Sequence, residues 1–310
     1  MKFLIISLII ISTLSCRTAK QQPVVRIPNA IDTLETTADV QAFVKQVNLY
    51  IRGTWETPHI PDTLSPTDKP CKGLFDSIQT RSWYKEDFDG NGTTDLLVTG
   101  DLKYVVNKDT LYNKLYETYC ILDTGKNNFT IRYLDLKGNK YEDNCCFYSV
   151  YKDTGSTGLI NHSYIRWNHM GAFIPVSDTL VYKFGDFIEL NKTPTRHTFG
   201  AISYENSDDY SYFRLIIRPD RRAEFSDGGV TGNVTTIDPL SYKRIIDILN
   251  YINLDGYKNG SPGQERQMLE VTYNEHNSAW IYGTYGSRAL RLLYAELEKL
   301  KVTQKWERSY

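Results

Sequence analysis

The sequence predicts an α+β protein: a β-rich N-terminal domain with one helix, followed by a domain of ββαββα order. In the second domain we expect a four-stranded antiparallel sheet with two helices on one face. Two observations predict this class. The chain has 23 tyrosines but only 3 methionines, and aromatic residues are typical of strands. Its C-terminal part also alternates between strand-like runs and runs with helical spacing of apolar residues.

The first helix is predicted at residues 37–51, where apolar side chains recur on one face at helical spacing. Thr36 or Thr37 offers an N-cap oxygen, and Gly53 ends the helix. Residues 56–72 follow and contain four prolines. Because proline interrupts both helices and strands, this segment is predicted to be a loop.

The region from Trp83 to Leu190 is predicted to be antiparallel β-structure, because aromatic and β-branched runs alternate there with Gly, Asn and Asp clusters. The strand-like runs are 96–98, 119–122, 129–134, 147–150 and 180–184. The polar segment 191–195 is the predicted boundary, so the first domain would cover residues 36–190 and the second residues 196–305.

The second domain is predicted to repeat a unit of one hairpin and one helix. The predicted hairpins are 212–218 with 223–225, and 268–273 with 279–282. Asp238-Pro239 opens the first helix, because an Asp N-cap followed by proline favours a helix start. The second helix starts at Gly286-Ser287 and carries a leucine stripe.

The composition is that of a globular protein that does not bind nucleic acid. Hydrophobic residues make up 41% and charged residues 24% of the chain, and the formal net charge is −1. A disordered chain would carry fewer apolar residues. Nucleic-acid binding requires a concentrated positive charge, which this balance does not provide.

The first sixteen residues indicate export. Lys2 is followed by an apolar run from Phe3 to Ile11, which is too short to span a bilayer and is typical of a secretory signal. The run leads to Cys16, as in a bacterial lipobox. Residues 1–16 are therefore predicted to be a lipoprotein signal peptide, with Cys16 acylated by chains such as palmitate and residues 17–35 forming a tether. An ordinary cleaved signal and an uncleaved anchor are the alternatives.

Four further cysteines are candidates for disulfide bonds in an oxidising envelope, namely Cys71, Cys120, Cys145 and Cys146. A bond between the adjacent Cys145 and Cys146 would be strained. We therefore favour these two pairing separately with Cys71 and Cys120, and buried thiols are the alternative.

One segment, residues 87–95, has the spacing of a cation-binding loop. Five positions supply oxygen ligands in the order that suits a hard cation: side chains at the first, third, fifth and ninth, and a carbonyl at the seventh. These are Asp87, Asp89, Asn91, Asp95 and, through its carbonyl, Thr93. The segment predicts a structural Ca²⁺ site, and the alternative is a metal-free turn rich in Asx residues.

This D-x-D-G-N-G-x-x-D-L segment resembles the calcium loops of FG-GAP and related β-repeat proteins. In those loops a hairpin with this pattern holds calcium, so the resemblance implies the same for residues 87–96. The loop occurs once in the sequence, which excludes a propeller of such repeats.

The triplet of Asp, Thr or Ser and an aliphatic residue occurs several times and resembles the O-glycosylation acceptor of exported Bacteroidota proteins. Thr33 and Thr63 are the best candidate acceptors, because their segments are expected to be exposed. The alternative is that each triplet is a turn entering a strand.

The stretch from Thr198 to Leu300 is similar to an uncharacterised domain of Bacteroidota lipoproteins. The resemblance is carried by the strand-like segments 213–217 and 269–273, the helix ending at Ile252, and Tyr285-Gly286 before the leucine-rich helix. It implies a location and no activity. Residues 17–20 contain no acidic residue, which favours an outer-membrane lipoprotein that faces the periplasm.

The function predicted from these features is a non-enzymatic binding or assembly module, attached to the membrane through Cys16, with an unknown protein or glycan partner. The sequence contains no G-x-S-x-G, H-E-x-x-H or phosphate-binding glycine loop, so no catalytic residue is assigned. A glycan-active or other hydrolase using Asp or Glu residues, and an inhibitor or immunity-type protein, are the alternatives.

Overall fold

The computed structural model describes the greater part of the chain beyond residue 26. The described ranges are 27–52, 59–66, 69–78, 80–102, 115–134, 146–153, 156–166, 173–207, 212–228, 230–257, 266–283 and 287–308.

Helix α1 (Thr37–Arg52) packs on the first of three antiparallel sheets. This sheet consists, in spatial order, of β1 (Trp83–Glu86), β2 (Asp95–Leu102), β3 (Leu115–Asp123) and β4 (Phe129–Tyr133). Val40 and Val44 of the helix share a buried cluster with Leu96 and Ile121 of the sheet. The amphipathic helix predicted at residues 37–51 therefore covers one face of the first sheet.

The second sheet packs against the other face of the first. Its strands, in spatial order, are β5 (Cys146–Asp153), β6 (Ser156–Arg166), β7 (Phe173–Lys183) and β8 (Asp186–Glu189). Leu97 and Cys120 of the first sheet lie in one buried cluster with Tyr148 and Leu159 of the second. The first half of the protein is therefore layered as helix, sheet and sheet.

A second helix, α2 (Lys69–Ile78), corrects part of the loop predicted at residues 56–72. Pro70 is the second residue of this helix. A proline is tolerated there because the first N–H groups of a helix have no intrahelical acceptor. Leu74 of α2 packs on Phe147 of β5.

The third sheet occupies the C-terminal half. Its six long strands are β9 (Phe199–Ser207), β10 (Tyr212–Ile217), β11 (Arg222–Asp227), β12 (Val230–Thr236), β13 (Gln267–Tyr273) and β14 (Asn277–Tyr282). The spatial order is β14-β13-β9-β10-β11-β12, and the two-residue strand β15 (Glu307–Arg308) extends the edge beside β12. Helices α3 (Pro239–Tyr251) and α4 (Arg288–Thr303) share one hydrophobic cluster with this sheet.

The predicted ββαββα domain with a four-stranded sheet is wrong, since the described part of the protein is mostly β and this sheet has two further long strands. The prediction missed β9 and β12 because both mix strand-forming residues with Gly and Asn, which are depleted in strands. In β9 the glycine has a local cause. A Cβ at Gly200 would lie 2.4 Å from the hydroxyl of Thr272 on the neighbouring strand β13, so a larger residue would force the Thr272 side chain to move.

Buried and partly buried hydrogen bonds join the two halves where β8 meets the start of α4. Glu189 accepts hydrogen bonds from the backbone N–H groups of Arg288 at 2.6 Å and Ala289 at 3.2 Å. The guanidinium of Arg288 donates to the carbonyl of Leu134 and, at 3.0 Å, to the hydroxyl of Tyr148. Glu189 therefore caps a helix of the other half, since a carboxylate satisfies the free N–H groups of a first turn.

Candidate metal centre

The candidate site is the connection between β1 and β2, residues 87–94. The two strands pair from Trp83 with Val98 to Glu86 with Asp95, which brings the two ends of the connection together. Gly90 and Gly92 have φ of 74° and 88°. Glycine adopts this left-handed backbone without the steric cost that a Cβ adds, so the two glycines let the chain fold back on itself.

Three carboxylates, two from this connection and one from the first residue of β2, converge on one point. Oxygen atoms of Asp87, Asp89 and Asp95 all lie within 4.8 Å of one another. Asp95 is fully buried, while Asp87 and Asp89 are partly exposed. The cluster could hold a metal ion, because carboxylates at such separations can share one cation.

Backbone amides hold all three of these carboxylates in place, and Asp89 accepts from the N–H of Asn91 at 3.1 Å. Asp87 accepts from the N–H groups of Gly90 at 2.8 Å and Gly92 at 2.9 Å. Asp95 accepts from the N–H groups of Phe88 at 2.8 Å and Asp123 at 2.9 Å. Main-chain donors therefore fix the orientation of these carboxylates.

Burial and the charges of neighbouring carboxylates disfavour the ionised form of Asp89 and Asp95. Burial raises the pKa of Asp95 to about 7, against the lowering effect of its hydrogen bonds to Asp123, Phe88 and Asp89. Burial also raises the pKa of Asp89, and the charges of Asp87 and Asp123 add to this. A bound cation would offset this repulsion, since an opposite charge favours the ionised carboxylates.

The other two predicted ligands, Asn91 and Thr93, lie beside the three carboxylates and bond to each other. The amide nitrogen of Asn91 donates to Asp89 at 3.0 Å and to the carbonyl of Asp123 at 2.7 Å. Its amide oxygen accepts from the backbone N–H of Thr93 at 2.7 Å and from the Thr93 hydroxyl. Ligation through the Asn91 oxygen would therefore replace a hydrogen bond that it now accepts from Thr93.

Sequence reasoning missed Asp123 at the end of β3. Its side chain is fully buried, and its carboxylate accepts from the backbone N–H of Gly125 at 2.9 Å. Its carbonyl accepts from Asn91 at 2.7 Å and from the Thr93 hydroxyl at 2.6 Å. The only sequence signal was its place at the head of a turn, and nothing local connected that turn to residues 87–95.

The structure agrees with the predicted disulfide at Cys71 and departs from the predicted pairing at Cys120 and Cys146. Cys71 is disulfide-bonded, whereas Cys120 and Cys146 both carry thiols. Cys16 and Cys145 lie outside the described residues. Cys120 is fully buried between the first two sheets, and this burial raises the pKa of its thiol well above the ordinary value. The predicted disulfide of Cys120 is therefore corrected to a core thiol, which packs as a small apolar group.

The remaining site predictions concern export and modification. Thr33 and Thr63 are both exposed, and the Thr33 hydroxyl donates to the carbonyl of Ala30 at 2.9 Å. The signal peptide, Cys16 and the first part of the predicted tether lie outside the described residues. None of the described helices is both long enough and apolar enough to cross a membrane.

Comparisons with protein-family models, with curated proteins and with solved structures found no match to this chain.

Proposed function

We propose that the protein is a lipoprotein of the bacterial outer membrane, facing the periplasm, with a structural Ca²⁺ site at residues 87–95 and a binding or assembly role. The observation that carries the proposal is the convergence of Asp87, Asp89 and Asp95 within 4.8 Å. Anchoring through Cys16 is supported by the signal-like start of the sequence. A binding role is supported by the lack of the common catalytic motifs in the sequence.

Calcium is the proposed ion because the three side chains of the cluster offer only oxygen ligands. Ca²⁺ takes six to eight oxygens, while Mg²⁺ requires a stricter octahedral arrangement. Structural zinc sites are built from Cys and His, and imidazole and thiolate ligands suit copper, whereas the three residues of this cluster are all aspartates. Asn91 and the Thr93 carbonyl would complete the protein ligands, as the loop spacing predicts.

The test is the thermal and urea stability of the full-length chain in detergent, with Ca²⁺, with Mg²⁺ and with EDTA. At a calcium concentration 100 times Kd, ligand binding stabilises a protein by about 2.7 kcal/mol. We expect this gain in the wild type and in the surface control Asp76→Ala, whose exposed carboxylate pairs with exposed Lys72. It should be absent in Asp89→Ala. If the wild type is equally stable in EDTA and in calcium, the loop is a metal-free turn.

The anchor has a separate test. Metabolic labelling with palmitate should label the wild type and the Cys146→Ser control, and Cys16→Ser should lose the label and leave the membrane fraction. Retention of label by Cys16→Ser would contradict the proposed lipidation site, whatever the outcome of the calcium experiment.

A further inference from the structure

Residues 27–34, here called the N-terminal segment, lie directly against the candidate metal loop. The N–H of Ile27 donates to the carbonyl of Gly92 at 2.9 Å, and Ile27 pairs with Thr93 as in a parallel bridge. Ile31 is fully buried in the cluster beneath α1. Although this segment was predicted to be the end of a tether, both its backbone and its side chains contact the fold.

Asn29 makes the central contacts of the N-terminal segment. Its amide nitrogen donates to the carbonyl of Thr94 at 2.6 Å and to the carboxylate of Asp123 at 2.9 Å. Its amide oxygen accepts from the backbone N–H groups of Ile31 at 2.9 Å and Asp32 at 3.3 Å. Because both ends of the amide are bonded, the orientation of Asn29 is fixed.

The two groups that accept from Asn29 also position the metal loop. Asp123 accepts from Asn91 and Thr93 through its carbonyl, and donates its N–H to Asp95 at 2.9 Å. Thr94 directly precedes Asp95 in the chain. Asn29 is therefore one hydrogen-bonded residue away from three of the five predicted ligands, although it is not a ligand itself.

We propose that Asn29 is a positioning residue of the metal site and that docking of the N-terminal segment is coupled to occupancy of the site. The inference rests on the proposed binding of Ca²⁺. Coupling between two events is reciprocal, so a docked segment strengthens cation binding by the factor by which the cation strengthens docking. With Cys16 as the proposed anchor, the bound cation would hold the chain from residue 27 onward against the fold.

The first test is the calcium Kd of the full-length chain, measured by isothermal titration calorimetry. Asn29→Ala should weaken binding by about 5- to 30-fold, within the usual range of coupling between sites. Thr33→Ala is the matched control on the same segment, because its exposed hydroxyl donates to the carbonyl of Ala30 within that segment. A second control, Asp238→Ala, destabilises the distant helix α3, and both controls should keep the wild-type Kd.

The second test is amide hydrogen exchange of residues 27–34 in the wild type, which remains informative if Asn29→Ala does not fold. Calcium should slow exchange of this segment relative to EDTA. If the wild type binds calcium while exchange of the segment is unchanged and Asn29→Ala keeps the wild-type Kd, the coupling is refuted and the calcium site stands. If the wild type binds no calcium, both proposals fail.

Discussion

Arg288 holds the two halves of the protein together, and its replacement by alanine is expected to destabilise the whole chain. The residue is only 7% exposed, and its guanidinium donates to the Leu134 carbonyl and to the Tyr148 hydroxyl. A hydrogen bond that involves a charged group contributes about 1.5–3 kcal/mol. The Leu134 carbonyl also accepts from Tyr148 at 2.8 Å, so it keeps one donor in the variant.

Because one acceptor keeps its partner, the expected loss for Arg288→Ala is about 2–4 kcal/mol in the free energy of unfolding, below the sum of two independent charged hydrogen bonds. Urea denaturation followed by circular dichroism measures this loss. A double-mutant cycle with Tyr148→Phe should show a coupling energy of about 0.5–3 kcal/mol, as expected for residues in contact.

The matched control is Arg218→Ala, which removes an arginine from an exposed ion pair. Arg218 lies 2.7 Å from Glu224, and the two side chains are 48% and 40% exposed. Exposed pairs contribute about 0–1 kcal/mol, so this variant should unfold almost as the wild type does. If Arg288→Ala and Arg218→Ala lose the same small amount, the buried contact does not hold the halves together and the reasoning is wrong.

Three further predictions concern single residues. Asp238→Ala should cost about 1 kcal/mol at pH 7 by removing the N-cap of α3; hydrogen bonds from Ser241 lower the pKa of Asp238 to about 2, so a urea series should show this difference present above about pH 4 and lost as the pH falls through 2. Gly90→Ala should lower the melting temperature, since a left-handed residue with a Cβ costs about 1–2 kcal/mol, whereas Gly73→Ala in helix α2, with open space at its Cβ, should raise stability by about 1 kcal/mol. Cys120 should react with a thiol reagent only after unfolding, because it is fully buried and its thiol pKa is raised; rapid labelling of the native chain would contradict its place in the core.

The elements that sequence reasoning predicted are those whose signals are local. Asp238 caps α3 through N–H groups two and three residues further on, and such a contact is visible in the sequence itself. By contrast, β9 joins β10 to a strand that lies more than sixty residues later, β13. Its glycine argues against a strand unless the close approach of Thr272 is known. The number of strands therefore could not be counted from local pattern alone.

The metal site likewise has a part that the sequence predicts, formed by neighbouring residues, and a part that it does not, contributed by distant segments. The three carboxylates and two left-handed glycines lie within nine consecutive residues, so their spacing alone predicts the cluster. Asp123 and Asn29 reach it from the end of β3 and from the N-terminal segment. No spacing rule relates those positions to the loop, because their proximity depends on how β3 pairs with β2 and on where the segment docks.

The run from Tyr119 to Leu122 is apolar at every position, instead of alternating between apolar and polar residues, and this indicates how the sheets are layered. All four side chains are at most 1% exposed. Tyr119 and Ile121 face the cluster beneath α1, while Cys120 and Leu122 face the second sheet. A strand that is apolar at both odd and even positions must be covered on both faces, as in buried parallel sheets. Such a run in an antiparallel region therefore predicts a three-layered half, in which its cysteine is a core residue.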